Sequence, residues 1–236
     1  MKHPELGFAL IAAGANILGA AAVTWRARWS LRTLEALVAL SAGFMISVTL
    51  IDILPEALAR GGRTAATVAL GGYLLVHLTQ HTLAPHFHFG EETHAVTAVA
   101  STSALIGLLL HTFVDGVAIA SGFHVSEALG MLIFLAILLH KFPEGLAISS
   151  LFLAAGARRG TALGAASLLG VATIAGVVLT SSIGTLSQNG LALSGGVTLY
   201  VAASNLVPEF QAKRGLRLPA AFFAGCVLYL FAQMAR

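Results

Sequence analysis

LLLHTFVDGVAIASGF at 108–123 and ILLHKFPEGLAISSLF at 137–152 are two apolar runs carrying one polar signature 29 positions apart. Both read H-x-F-x-[D/E]-G-x-A-I, with His111 and Asp115 in the first and His140 and Glu144 in the second. A histidine and a carboxylate four residues apart stack on one face of a helix, about one turn from each other. Each run therefore presents two metal-ligating groups along a line.

The surrounding composition places these runs in a membrane. Of the 236 residues, 57% are hydrophobic and 10% charged, and the mean hydropathy is +0.88, far from the balance of a soluble domain. Apolar stretches near the ~20 residues that a spanning helix needs recur along the chain. They lie at roughly 5–24, 34–58, 65–83, 97–120, 128–154, 161–184, 191–210 and 217–235. The expected fold is thus an all-α integral membrane protein of eight transmembrane helices, forming one transmembrane domain over 1–236. The alternation of a membrane barrel is missing from the sequence. The first stretch reads as a span rather than a cleaved leader, because Arg26, Arg28 and Arg32 follow it as a stop-transfer cluster would.

The lone cysteine, Cys226, excludes an intrachain disulfide and a thiolate cage. A pI near 9.4 is explained by loop arginines that set orientation, so no nucleic-acid partner is expected. Eight Lys and Arg residues fall on the side holding the 1–2, 3–4, 5–6 and 7–8 loops, and four on the other. The positive-inside rule then puts the first set in the cytoplasm and both termini outside.

A second pair of segments repeats at longer range. SAGFMISVTLIDILPEA at 41–57 aligns without a gap on SGGVTLYVAASNLVPEF at 194–210, an offset of 153 that matches Asp52 with Asn205 and Pro55-Glu56 with Pro208-Glu209. With eight spans, helices 2 and 7 run in opposite directions, and so do helices 4 and 5. That is the pattern of an inverted repeat, three helices plus two plus three, on which many secondary transporters are built.

The loop between helices 3 and 4, about 84–96, is rich in histidine. With its flank it holds His81, His86, His88 and His94 beside Glu91 and Glu92, a tract that suits loose binding of divalent metal as well as plain solvation.

An ionised carboxylate in the middle of a span costs about 2.5–3.5 kcal/mol on insertion scales. Asp115 and Glu144 therefore need a cation, supplied by a metal ion or by Lys141. Two imidazoles and two carboxylates on adjacent helices offer four ligands for a borderline divalent ion such as Zn²⁺, Fe²⁺ or Mn²⁺.

These motifs resemble the ZIP (Zrt-/Irt-like protein) family of divalent metal transporters. H-x-F-x-D-G-x-A-I, H-x-x-P-E-G, the S-A-G-x-M…L-P-E-A end of helix 2 and the L-Y-V…P-E run of helix 7 carry the likeness. It implies uptake of divalent metal into the cytoplasm of a prokaryote through the plasma membrane, with Zn²⁺ the first choice and Fe²⁺, Mn²⁺ and Cd²⁺ as alternatives. It maps the transport site onto His111, Asp115, His140 and Glu144, and adds Met45 as a nearby soft ligand. Metal is cargo here, and no cofactor is expected; the partners are metal ions and lipid, with a homodimer left open.

Two residues depart from the family pattern. Many members bind a second metal through the positions after each histidine, which here are Thr112 and Lys141. An ammonium cannot ligate and repels a cation, so one metal is expected where such relatives hold two. Asp52 and Glu56 are assigned to the outer end of the path, and Asn205 and Glu209 to its inner end. The rival from another class is an intramembrane zinc hydrolase with Glu144 as base. H-E-x-x-H is missing and the loops leave no room for a substrate domain, so a carrier is expected and not an enzyme.

Overall fold

The computed structural model describes residues 4–25, 31–82, 98–208 and 213–235, and within them every regular element is a helix. In chain order they are α1 (Pro4–Thr24), α2 (Leu31–Val48), α3 (Leu54–Thr82), α4 (Ala98–Val125), α5 (Glu127–Ala154), α6 (Arg159–Ser182), α7 (Gly184–Tyr200) and α8 (Arg217–Met234). Two π-helical segments, Thr49–Ile53 and Val201–Leu206, continue α2 and α7. Among the described residues six helices are long and apolar enough to cross a bilayer. One of the six is the stretch Arg32–Thr82 of 51 residues, kinked at Gly62, which has φ 50° and ψ −131°. That conformation is outside the helical region and costs a side-chain-bearing residue dearly, so the kink falls on a glycine, which permits it.

Local chemistry fixes several ends. Ser126 is extended, and its hydroxyl accepts from the Leu129 amide at 3.1 Å, capping α5 one residue after α4 stops at Val125. At the far end Gly156, at φ 81°, follows the last turn of α5. Inside the bilayer, hydroxyls have no water to turn to, so they bond their own helix. Ser47 donates to the Gly43 carbonyl at 2.8 Å, Thr49 to Met45 at 2.7 Å and Thr180 to Gly176 at 2.7 Å.

Without a hydrophobic drive between helices in lipid, close backbone approach holds the bundle together. A Cβ on Gly145 of α5 would collide with the Asn16 carbonyl of α1, and one on Gly19 with the Phe142 carbonyl. The same mutual contact joins α4 to α6, where Gly116 meets the Thr173 carbonyl and Gly176 the Phe113 carbonyl. Likewise Gly43 of α2 meets Phe222 of α8 while Gly225 meets Leu40, and Gly72 of α3 meets Leu193 of α7 while Gly196 meets Ala69. The helices thus group as α1, α4, α5 and α6 in one cluster, with the pairs α2–α8 and α3–α7 beside it.

Candidate metal centre

The seam between α4 and α5 contains the polar groups singled out by spacing. One ligand atom from each of His111, Asp115, His140 and Glu144 lies within 4.8 Å of all the others. All four residues are buried, Asp115 to 2% exposure. Asp115 Oδ2 is the hub: His140 Nε2 stands 3.4 Å from it and His111 Nε2 3.5 Å, while His140 Nε2 is 4.0 Å from Glu144 Oε2. Four ligands around zinc at bonds of about 2.0–2.1 Å are separated from one another by about 3.3 Å. The two separations from Asp115 Oδ2 to the imidazoles already have that size, while the wider ones, up to 4.8 Å, have to contract around an ion.

The ring of His140 is oriented for ligation. Its Nδ1 lies 3.0 Å from the Ala136 carbonyl. A carbonyl only accepts, so Nδ1 donates to it, which fixes the ring with Nε2 facing the carboxylates. Two carboxylates gathered at this buried seam ask for a cation among them.

Lys141 supplies one. Its Nζ reaches Asp115 Oδ2 at 2.6 Å and Glu144 Oε2 at 2.8 Å, and the residue is 0% exposed. Thr112 completes the network by donating to Glu144 Oε1 at 2.7 Å and accepting from Lys141 at 3.4 Å. Two buried charges of one sign thus share one of the other, and each ionic group has more than one partner, the condition under which a buried ion pair persists.

Asp52, Glu56 and His81 contribute no ligand atom to this cluster. Met45 is fully buried on α2, in the apolar core with Val48 and Ile53. Asp52 sits in the first π segment, where it accepts from the Tyr229 hydroxyl at 2.6 Å. Glu56 pairs with Arg60 at 2.7 Å on a half-exposed surface. Asn205 falls in the second π segment, next to Ser204, whose oxygen lies 3.4 Å from the Tyr73 hydroxyl. His81 is exposed at the end of α3 with its Nδ1 2.8 Å from the His77 carbonyl. His86, His88, His94 and the loop about 84–96 lie outside the described residues, as does Glu209.

Sequence reading did not single out Asn16 of α1. It is 0% exposed, packs its backbone on Gly145 next to Glu144, and has no hydrogen-bond partner for either side-chain polar atom. Its one signal in sequence is an amide in the middle of an apolar run.

A helical membrane protein with a buried cage of two imidazoles and two carboxylates belongs to the class equipped to hold a divalent metal among its spans. Residues 80–233, well over half of the chain, match the family described as ZIP Zinc transporter, and the chain belongs to that family. It is also similar to the zinc transporter GufA of Myxococcus xanthus, 36% identical over 155 residues, which are 62% of this chain and 60% of that protein. The chain thus matches about three fifths of the length of that relative.

Proposed function

We propose that the chain carries divalent transition-metal ions, Zn²⁺ first, into the cytoplasm through the His111, Asp115, His140 and Glu144 cage. The observation that carries this reading is the convergence of four ligand atoms within 4.8 Å, at a depth where no ordinary polar group is retained without a task. Family membership and the relative's printed name point the same way, to a carrier rather than an enzyme.

The proposal includes eight spans arranged as an inverted repeat. The kink at Gly62 divides Arg32–Thr82 into two arms, and α7 with its π segment adds a further span over 184–206. The glycine contacts support the repeat: Gly43 and Gly196 are 153 positions apart, as are Gly72 and Gly225, Leu40 and Leu193, and Ala69 and Phe222. The π segment Thr49–Ile53, shifted by the same 153, falls on 202–206 within the second. Two repeats related in this way exchange roles as a site opens to one side and then the other. Asp52 and Glu56 then line the outer approach and Asn205 and Glu209 the inner one, with both termini outside.

Purified protein in sealed liposomes enclosing a metal-sensitive dye tests the reading. Saturable Zn²⁺ influx is expected, with Fe²⁺, Mn²⁺ and Cd²⁺ compared in parallel. Vesicles that stay closed to all four would sink it.

A further inference from the structure

Metal cannot take the two carboxylates while Lys141 holds them, and the ammonium is too deeply buried to leave for water. Resting on the carrier reading, we propose that Asn16 is the acceptor that receives the Lys141 ammonium when a divalent ion displaces it.

Three observations converge on Asn16. The first is its cost: a buried amide with Oδ1 and Nδ2 both unmatched forfeits about 1–3 kcal/mol per group, and an apolar residue there would avoid the loss. A buried orphan of this kind needs an explanation, and a second state in which it is satisfied supplies one. The second is its place. Lys141 and Gly145 are one turn apart on the same face of α5, and Gly145 is where the α1 backbone at Asn16 makes contact. A lysine stem of four methylenes, about as long as one helical turn, spans that separation.

The third observation is a broken symmetry. On α4 the corresponding glycine, Gly116, meets Thr173 of α6. The residue one turn before it is Thr112, so no ammonium needs rehousing on that side. There the polar group is content at rest, with the Thr173 hydroxyl donating to the Leu169 carbonyl of its own helix at 3.4 Å. Among the described residues the buried atoms without a partner on α4 are His111 Nδ1 and Ser121 Oγ, neither of them on the helix that packs against its motif glycine, whereas the open amide stands on the helix packed against the lysine's half. Asn16 is thus a positioning residue: it touches neither metal nor cage at rest, and acts by giving the displaced charge somewhere to go, since a desolvated ammonium with no acceptor would oppose binding.

The test compares Zn²⁺ affinity of the full chain in detergent, by competition with a chromophoric chelator, across four variants. Asn16→Leu is expected to weaken binding about tenfold, a change in affinity of about 1.4 kcal/mol. Its thermal midpoint should stay level or rise, because the resting amide has no bond to lose. Asn16→Asp, which keeps an acceptor, should bind within about threefold of the unaltered chain. The deciding arm is Lys141→Met, alone and with Asn16→Leu: with no ammonium to house, the second substitution should change affinity by less than about twofold. Unchanged affinity in Asn16→Leu overturns the proposal, as does a lowered midpoint, or a loss that persists undiminished beside Lys141→Met. If the unaltered chain binds no Zn²⁺, the carrier reading itself fails and this proposal with it.

Discussion

Helices α4 and α5 carry one pattern, H-x-F-x-[D/E]-G-x-A-I, and each packs its motif glycine on the carbonyl of a neighbouring helix. They differ most in charge at the residue after the histidine, Thr112 on one and Lys141 on the other. A scaffold built on near-equivalent halves has therefore been given an unequal filling. The neutral half contributes a hydroxyl that donates to Glu144, and the charged half a cation that bridges Asp115 and Glu144. The comparison teaches that the chain brings one positive charge of its own to a site built for two carboxylates. Cargo has to compete with that charge.

The largest way to break this balance is to remove the hub. In Asp115→Leu, both imidazoles lose the oxygen they face and Lys141 keeps a single carboxylate. Removing one partner of a buried ion pair costs about 3–5 kcal/mol, most of it from the charge left behind. The expected result is a much lower thermal midpoint in detergent together with no Zn²⁺ flux. Adding Lys141→Met should restore much of the stability and none of the flux, because the stranded charge is gone but the ligand is still missing. A single variant as stable as the unaltered protein would mean that the pairing contributes little.

A more moderate change makes the charged half a ligand. Lys141→Asp exchanges a resident cation for a carboxylate beside Asp115 and Glu144, which demands a further cation. Equilibrium dialysis should find one Zn²⁺ per unaltered chain and two in the variant. Two in the unaltered chain would show that the ammonium does not fill the second position.

The site was legible before the fold because its signal is local. Four residues of spacing on a helix place His111 over Asp115 and His140 over Glu144, and the cost of charge in hydrocarbon forces the two pairs to share a cation. The lengths of apolar runs matched α1, α5, α6 and α8 to within a few residues, but α4 continues to Val125, past the 120 at which apolarity alone would end it, α7 begins at Gly184 and not at 191, and among the described residues six helices, not eight, are long and apolar enough to span. What sequence could not show depends on contacts between distant positions. The ammonium distances to Asp115 and Glu144 need the two helices docked, and Asn16 gains its meaning only when Gly145 brings α1 against α5. The Tyr229 partner of Asp52 likewise lies 177 positions away. The π segments were invisible because a misaligned turn is set by packing, and SVTLIDIL reads as an ordinary apolar helix.

The smallest effect sharpens the comparison from its neutral side. Thr112 does two jobs through one oxygen, donating to Glu144 at 2.7 Å and accepting from Lys141 at 3.4 Å. Thr112→Val keeps the shape and removes both, so Glu144 loses a hydrogen bond to a charged group, worth about 1.5–3 kcal/mol, offset in part because the ammonium can tighten on the carboxylate. Because that bond holds Glu144 in the resting arrangement, losing it also frees the carboxylate to turn to the metal. Binding of Zn²⁺ should therefore change by less than about tenfold while the thermal midpoint falls. Thr112→Ser, which keeps the hydroxyl, should match the unaltered chain in both. If Thr112→Val instead abolished binding as Asp115→Leu is expected to do, the threonine would itself be a ligand, and the division between a neutral and a charged half would have to be redrawn.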